Sequence, residues 1–584
     1  MDRMFSISKS VTRRQRDGES GRQGERETGK QVSPSLPLSL SSCLLVLLFA
    51  LVACTPVTIP TSDETPSPIA ATPRPGATLV PAIPTTTSEP PAPLPEGGAI
   101  VIGVVGSMSL EVNAMSPFLQ DAVFESLLQP DPATGALKPA LAESFQVSAD
   151  AKTLTFRLRS DVRWHNGDPF TADDVVATIN AFASPNFRGT PVTDFGTNVR
   201  AAAVNGQTVQ ITFSEGYCPA LTSIGTMKVL PRAVATSANF PRLMPAQMIG
   251  TGSLKFAARG DDAFTLERNA DYYRGAPHIE TWMLRIFADA ATMRAAFAAQ
   301  QIDAMPGAPG EYAAIKKLTD ANILATDAPE FIALMFNAET VILNDGRVRQ
   351  ALNYALDRAV LLNDLGGQAR TIDTSALPGH WAYPANLPRY PYDPARAKQI
   401  LADAGWRDAG NSILQKDGKP LRLELWAEAD DPLLEPLAFR LREMYAAIGV
   451  QVVLQLDNRT GWIVRAFDHR FDMLLLSRKI PLDPDQRWYW QSDQNVKGSG
   501  FNFGSYASTR VDALGKESLR VAACDSAARA ALNAEIHRIL ITEAPVAFLL
   551  APKKFWVTRD RVLGLAPSPF AGDYWNVNEW RVKP

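Results

Sequence analysis

The sequence predicts an α/β protein with room for two lobes. Two observations predict it. Segments with alternating apolar residues interleave with segments at helical spacing, each set off by turn and cap residues. The stretch from residue 98 to 584 is also long enough to build two cores.

The amino end precedes both lobes. Arg13, Arg14 and Arg16 sit in a polar, mixed-charge leader, and Cys43 to Ala53 is a short apolar run. A spanning helix needs about 20 apolar residues, so this run reads as an export signal. It ends in Leu51-Val52-Ala53-Cys54, which is similar to the bacterial lipobox. That likeness implies that residues 1–53 are removed and that Cys54 becomes a lipid-bearing N-terminus. A plain signal peptide and an uncleaved anchor are the alternatives, and the leader's length leaves Met4 or a later residue as a possible start. Residues 54–97 are dense in Pro, Thr and Ser and cannot bury enough apolar area to fold. They are expected to tether the domain to the membrane.

The folded part begins with strands. Leu154, Phe156 and Leu158 alternate with Thr155 and Arg157, giving a strand with one buried face. Asn166-Gly167-Asp168-Pro169 is a turn. Thr171 and Asp174 have capping-box spacing, and Val175, Val176, Ile179 and Phe182 give the helix that follows an apolar face. Val204-Asn205-Gly206-Gln207 before Val209, Ile211 and Phe213 predicts a hairpin. Asp393 and Pro394 form an N-cap and first-turn pair, and Gly405 stands where that helix stops. Lys416-Asp417-Gly418-Lys419 before Leu421, Leu423 and Leu425 predicts a second hairpin. Gln451–Leu456 and Phe471–Leu476 read as strands, the latter apolar enough to be buried on both faces.

Composition narrows the function. The chain has 58 Lys+Arg and 61 Asp+Glu; residues 1–53 hold 8 and 5 of these, leaving the remainder near −6. Nucleic-acid binding wants a basic face, so it is not expected. The five histidines, His165, His278, His380, His469 and His537, show no metal-binding spacing. No nucleophile elbow, Walker loop or dinucleotide fingerprint occurs. Asp173-Asp174 and Asp483/Asp485 are expected to cap and turn the backbone. No enzyme activity, cofactor or metal site is therefore expected.

Leu141–Val176, LAESFQVSADAKTLTFRLRSDVRWHNGDPFTADDVV, closely resembles the signature of the family 5 solute-binding proteins of ABC importers. Further blocks resemble the same family in the same order: Gly250-Thr251-Gly252, Leu266–Tyr273, Phe336-Asn337 with Arg347–Arg358, and Tyr390–Pro394 running to Trp406. The resemblance covers about residue 99 to the C-terminus. It implies a periplasmic-binding-protein-like fold of the class II type, with an extra subdomain in lobe I. Lobe I would be residues 98–334, lobe II 335–548, and 549–584 would return to lobe I. A ligand would lie in the cleft between the lobes. His165 belongs to the signature and is expected to be structural.

The resemblance also implies the partners: a small organic solute, peptide or oligosaccharide in class, and an ABC permease and ATPase complex. The membrane would be reached through the N-terminal lipid. The protein would be a monomer in the cell envelope, on the outer face of the cytoplasmic membrane or in the periplasm. A sensing or scaffolding lipoprotein of the same fold is the alternative from another class. Cys218 and Cys524 could pair in an oxidising compartment. They map to different lobes, however, and two free, mostly buried thiols are expected.

Ligand choice rests on Leu476–Asp485, which corresponds to the family's cleft loop. In peptide binders an Asp there meets the peptide ammonium group. The matching position here is Ile480, which weakens a peptide reading, because a buried ammonium ion needs a carboxylate. Arg478 and Lys479 could meet an anionic or polyhydroxy ligand, or face solvent. Trp488, Phe503 and Tyr506 follow the loop, and Trp381 and Tyr383 lie in a segment that approaches the cleft in the family. Ser107 and Met108 follow the first strand at a cleft position. Trp490 is expected in the core.

Overall fold

The computed structural model describes residues 96–584, apart from 113, 185–186, 188–197 and 411. The export signal, Cys54 and nearly all of the tether lie outside the described residues.

The first half is built from β1 (Ala99–Val105), β2 (Ala142–Val147), β3 (Thr153–Leu158), β4 (Arg200–Asn205), β5 (Thr208–Thr212), β6 (Leu254–Arg259), β7 (Ala263–Arg268), β8 (Thr281–Phe287) and β9 (Ala304–Gly307). β1 runs parallel to β8, with Ala99 opposite Thr281 and Val105 opposite Phe287. β2, β3, β5 and β4 form a separate four-stranded antiparallel sheet in that order. Helix α1 (Ala172–Ala183) packs on it, its start fixed by Asp174 Oδ2, which accepts from Thr171 N at 2.9 Å. The sequence-predicted strand, cap, helix and hairpin of this region are all present. Phe118, Phe156, Phe264, Trp282 and Trp580 anchor the first core.

The second half contains β10 (Asn322–Asp327), β11 (Glu330–Phe336), β12 (Ala369–Thr371), β13 (Arg422–Glu428), β14 (Gln451–Asp457), β15 (Met473–Lys479) and β16 (Val546–Thr558), with β10 and the end of β16 reaching back to the first core. Helix α2 (Pro394–Asp403) starts at Asp393, whose side chain accepts from Arg396 N at 2.8 Å. Helices α3 (Leu434–Ala446) and α4 (Arg459–Phe467) follow β13 and β14. α5 (Thr509–Ser518) and α6 (Ser526–Glu543) follow β15. Two apolar clusters fill this half, one on each face of its strands.

One twelve-stranded sheet joins the halves. Its path is β14-β13-β15-β11-β16-β9-β1-β8-β7-β6, with β10 and β12 also pairing with β16. The chain crosses between the halves twice, and the crossings are hydrogen-bonded to each other. Residues 546–550 of β16 pair with β11, and residues 553–558 pair with β10. Only Ala328 and Pro329 separate β10 from β11, and Ala328 N donates to Pro552 O at 2.8 Å.

The cysteines depart from expectation. Cys218 and Cys524 are joined by a disulfide, with Cα atoms 5.3 Å apart. They do belong to different halves, but the turn between α5 and α6 reaches over to the first. Cys218 N donates to Leu519 O at 2.8 Å and Ala523 N to Ala149 O at 3.3 Å. Ala523 and Cys524 both take left-handed backbone conformations, which fold this turn tightly against its neighbour. The flanks of the two halves therefore touch here.

Candidate functional site

The parallel strands of the second half define a crevice. β13 and β14 run together over their full lengths, but β13 meets β15 only at Leu425–Met473 and Trp426–Leu474. Beyond Leu474, β15 leaves β13 and follows β11 as far as the pair Glu330–Lys479. A cavity of about 260 Å³ opens where the strands part. It sits at the C-terminal ends of parallel strands, where open α/β sheets generally receive ligands. α3 and α4 both begin there: Leu434 and Arg459 line it, as do Trp462, Tyr489, Phe501 and Phe503.

β15 decides which side chains enter. It continues through Ser477-Arg478-Lys479, three residues beyond the strand read from the sequence, because β11 keeps pairing with it. Arg478 turns inward and is 7% exposed, while Lys479 is exposed. The Arg478 guanidinium carbon lies 4.3 Å from the Tyr489 ring centre and 4.6 Å from that of Phe503. Nη2 donates to Phe501 O at 2.7 Å. Nη1 is buried and has no hydrogen-bond partner among the described residues. Burial pulls the arginine's pKa down to about 10.

The carboxylates around the cavity have partners of their own. Glu428 Oε2 lies 2.9 Å from Arg459 Nη1. Asp431 Oδ1 accepts from Leu433 N and Leu434 N at 2.9 and 2.8 Å, and so caps α3. Glu330 Oε2 accepts from Ser477 Oγ at 3.3 Å.

The other expected site residues lie apart from this cavity. Ile480 is 9% exposed and packs in an apolar cluster with Phe331 and Trp490, while its N–H donates to Pro329 O at 2.7 Å. Tyr506 is buried and donates to Glu543 Oε2 at 2.7 Å. Trp488 is half-buried beside the Arg487 guanidinium. Trp381 and Tyr383 are half-buried, and Trp381 N donates to Thr134 O of the first half at 2.8 Å. Ser107 is exposed just past β1, and the half-buried Met108 packs on the first core. Arg478, Lys479 and Phe503 thus meet at one cavity, and the remaining seven do not.

The Asp483 turn does more than turn. Asp483 Oδ1 accepts from Asp485 N at 3.0 Å, as a turn carboxylate does. Both its oxygens also accept from Arg529, at 2.6 and 2.9 Å, in a buried pair. Thr222 Oγ1 of the first half donates to the same carboxylate at 3.2 Å.

His165 is held by backbone: Nε2 donates to Gly252 O at 2.9 Å and Nδ1 accepts from Gly250 N at 3.2 Å. Among the described residues no group of three His, Cys, Asp or Glu side chains is placed to hold a metal ion. No described helix is long and apolar enough to cross a membrane.

Glu330, Glu428, Asp431, Arg459 and Trp462 were not among the expected site residues. The carboxyl ends of β13 and β14, with the helix starts that follow them, carried the signal for four of them.

Comparison with known proteins agrees with this architecture. Residues 136–499 match the family described as bacterial extracellular solute-binding proteins, family 5 middle. The oligopeptide-binding protein AppA of Bacillus subtilis is 25% identical over 507 residues, covering 83% of this chain and 92% of that protein. The nickel-binding periplasmic protein of Escherichia coli is 29% identical over 388 residues, covering 63% and 72%. The crystal structure of NikZ from Campylobacter jejuni in complex with Ni(L-His) superposes with a TM-score of 0.66 at 28% identity, covering 83% of this chain and 99% of that one.

Proposed function

The chain belongs to the bacterial extracellular solute-binding proteins of family 5, and from that membership we propose that it is the receptor of an ABC importer. It captures a peptide-like or other small organic solute in the crevice beside β15. The two halves then close by bending at the paired crossings, where Ala328–Pro329 and residues 551–552 join them. Lobe I is residues 98–334 with 549–584, and lobe II is 335–548, so the bend lies within a few residues of each boundary. The closed complex, a monomer lipidated at Cys54, is handed to a permease.

The observation that carries this reading is the double crossing. Two antiparallel strands that pass together between two cores make a hinge with only two loop residues on one side. A ligand contacting both halves would favour the closed state.

The test is a thermal-shift and small-angle scattering screen of the purified protein, refolded to remove retained solute. The panel is peptides, oligosaccharides, organic acids and metal complexes. A ligand at a hundred times its Kd adds about 2.7 kcal/mol of stability. A smaller radius of gyration should accompany it. A blank across every class would overturn the receptor reading in favour of a sensing or scaffolding role.

A non-peptide solute is favoured within this reading by Ile480. Its side chain is packed among apolar residues where a peptide binder would present a carboxylate, so a peptide ammonium group would find no counter-ion there.

A further inference from the structure

Arg478 is a buried cation for which the described residues provide no acid. Arginine does not escape this by losing its proton, since its pKa stays far above neutrality even when burial lowers it. Three local sources of a counter-charge are occupied or misplaced. Glu428 is paired with Arg459, and Asp431 caps α3. Glu330 also lines the cavity, but it stands opposite Lys479 in the β11–β15 register and accepts from Ser477 Oγ rather than from Arg478. The guanidinium is nevertheless held in one orientation by the Tyr489 and Phe503 rings and the Phe501 carbonyl. A group that is fixed, buried, charged and incompletely bonded, lining a cavity of about 260 Å³, is pre-set for an anion from outside.

We propose that Arg478 sets specificity and that the solute is an organic anion. Its carboxylate pairs with the Arg478 guanidinium while its apolar body lies against Trp462, Tyr489 and Phe503. This rests on the solute-receptor reading above. The exposed Lys479 plays no part in the grip. The short distance from the guanidinium to both rings favours a compact head group with an adjoining apolar chain or ring, because the rings wall the cation on two sides.

The experiment compares acids with their neutral amides on the refolded protein by isothermal titration. Benzoate, phenylacetate, hexanoate and N-acetyl-leucine are titrated beside benzamide, phenylacetamide, hexanamide and N-acetyl-leucinamide, with maltose as a neutral sugar. At least one acid should bind at least tenfold more tightly than its amide. Arg478→Met should weaken that acid by a hundredfold or more, and Arg478→Lys, which keeps the charge but loses the planar fork, by about tenfold. If the Met variant does not fold, the Lys variant and the acid-to-amide ratio decide. Mass spectrometry of solute released from freshly purified protein is an independent arm, and an acid is expected.

Equal binding of acid and amide, tight binding of maltose alone, or wild-type affinity in Arg478→Lys and Arg478→Met would overturn the proposal and leave the receptor reading intact. A neutral or cationic released solute would do the same. The absence of any ligand in these titrations and in the broader screen would remove both.

Discussion

Two arginines of the second half are buried to nearly the same degree, and they are treated in opposite ways. Arg529 is 4% exposed and Arg478 is 7% exposed. Arg529 meets Asp483 through two hydrogen bonds of 2.6 and 2.9 Å, and its neighbouring carboxylates hold its pKa up against burial. Arg478 has two rings, one carbonyl and no acid, and burial moves its pKa the other way. A third buried base, His537, lies two turns beyond Arg529 on α6 and solves the same problem by staying neutral. Its Nδ1 sits 2.6 Å from Thr374 Oγ1, and burial depresses its pKa to about 4. A cation whose partner comes with the fold is part of the framework. One fixed beside a cavity without an acid partner is the group that the proposed anion site would use.

The comparison is broken most directly at the paired arginine. Asp483→Asn strands Arg529 in the interior and should cost about 3–5 kcal/mol in urea unfolding. Replacing both residues by apolar ones of similar volume should recover most of that loss, and a failure to recover would mean the pair does more than neutralise itself. The histidine gives the next effect. Its folded pKa lies below the ordinary value of 6.5, so the unfolded chain takes up the proton first as pH falls. Its stability contribution is complete above about pH 6.5 and is lost towards pH 4, amounting to roughly 2–3 kcal/mol. His537→Gln should flatten that part of the stability profile. Arg478→Met, by contrast, should leave the ligand-free protein within about 1 kcal/mol of the parent, since removing an unpaired cation offsets the lost bond to Phe501. A drop as large as that of Asp483→Asn would make Arg478 a framework residue too. The smallest change is expected from Arg459→Ala: its pair with Glu428 is half exposed, and under about 1 kcal/mol should be lost.

Local chemistry was the legible part of the sequence. Thr171 and Asp174 marked a helix start, Asp393-Pro394 another, and Asn205-Gly206 a hairpin, because each signal lies within a few residues of what it specifies. Arg478 and Lys479 show where that reach ends. Met473 to Leu476 are all apolar and all buried, so they carry no alternation from which the phase of the next two residues could be read. Pairing with β11, more than a hundred residues earlier, sets that phase and extends the strand. Ile480 was singled out as a departure from the family's loop, and a loop position does not reveal that the side chain joins a core. The crevice draws on residues 330, 428, 459, 478 and 503, which only the assembled sheet brings together. The disulfide was hidden for the same reason: it depends on a contact between the flanks of two halves, which no spacing encodes.

That bridge also imposes an order of events. Cys218 and Cys524 are 306 residues apart, and the segment between them holds most of the second half. While the chain is being made, Cys218 must wait as a free thiol until its partner, 306 residues later, emerges. Wrong partners and oxidants can reach it throughout that interval. Bond formation therefore records that most of the second half has been made and that its flank has met the first half, and the fraction of newly made protein still open to thiol alkylation is a clock for that stage of assembly.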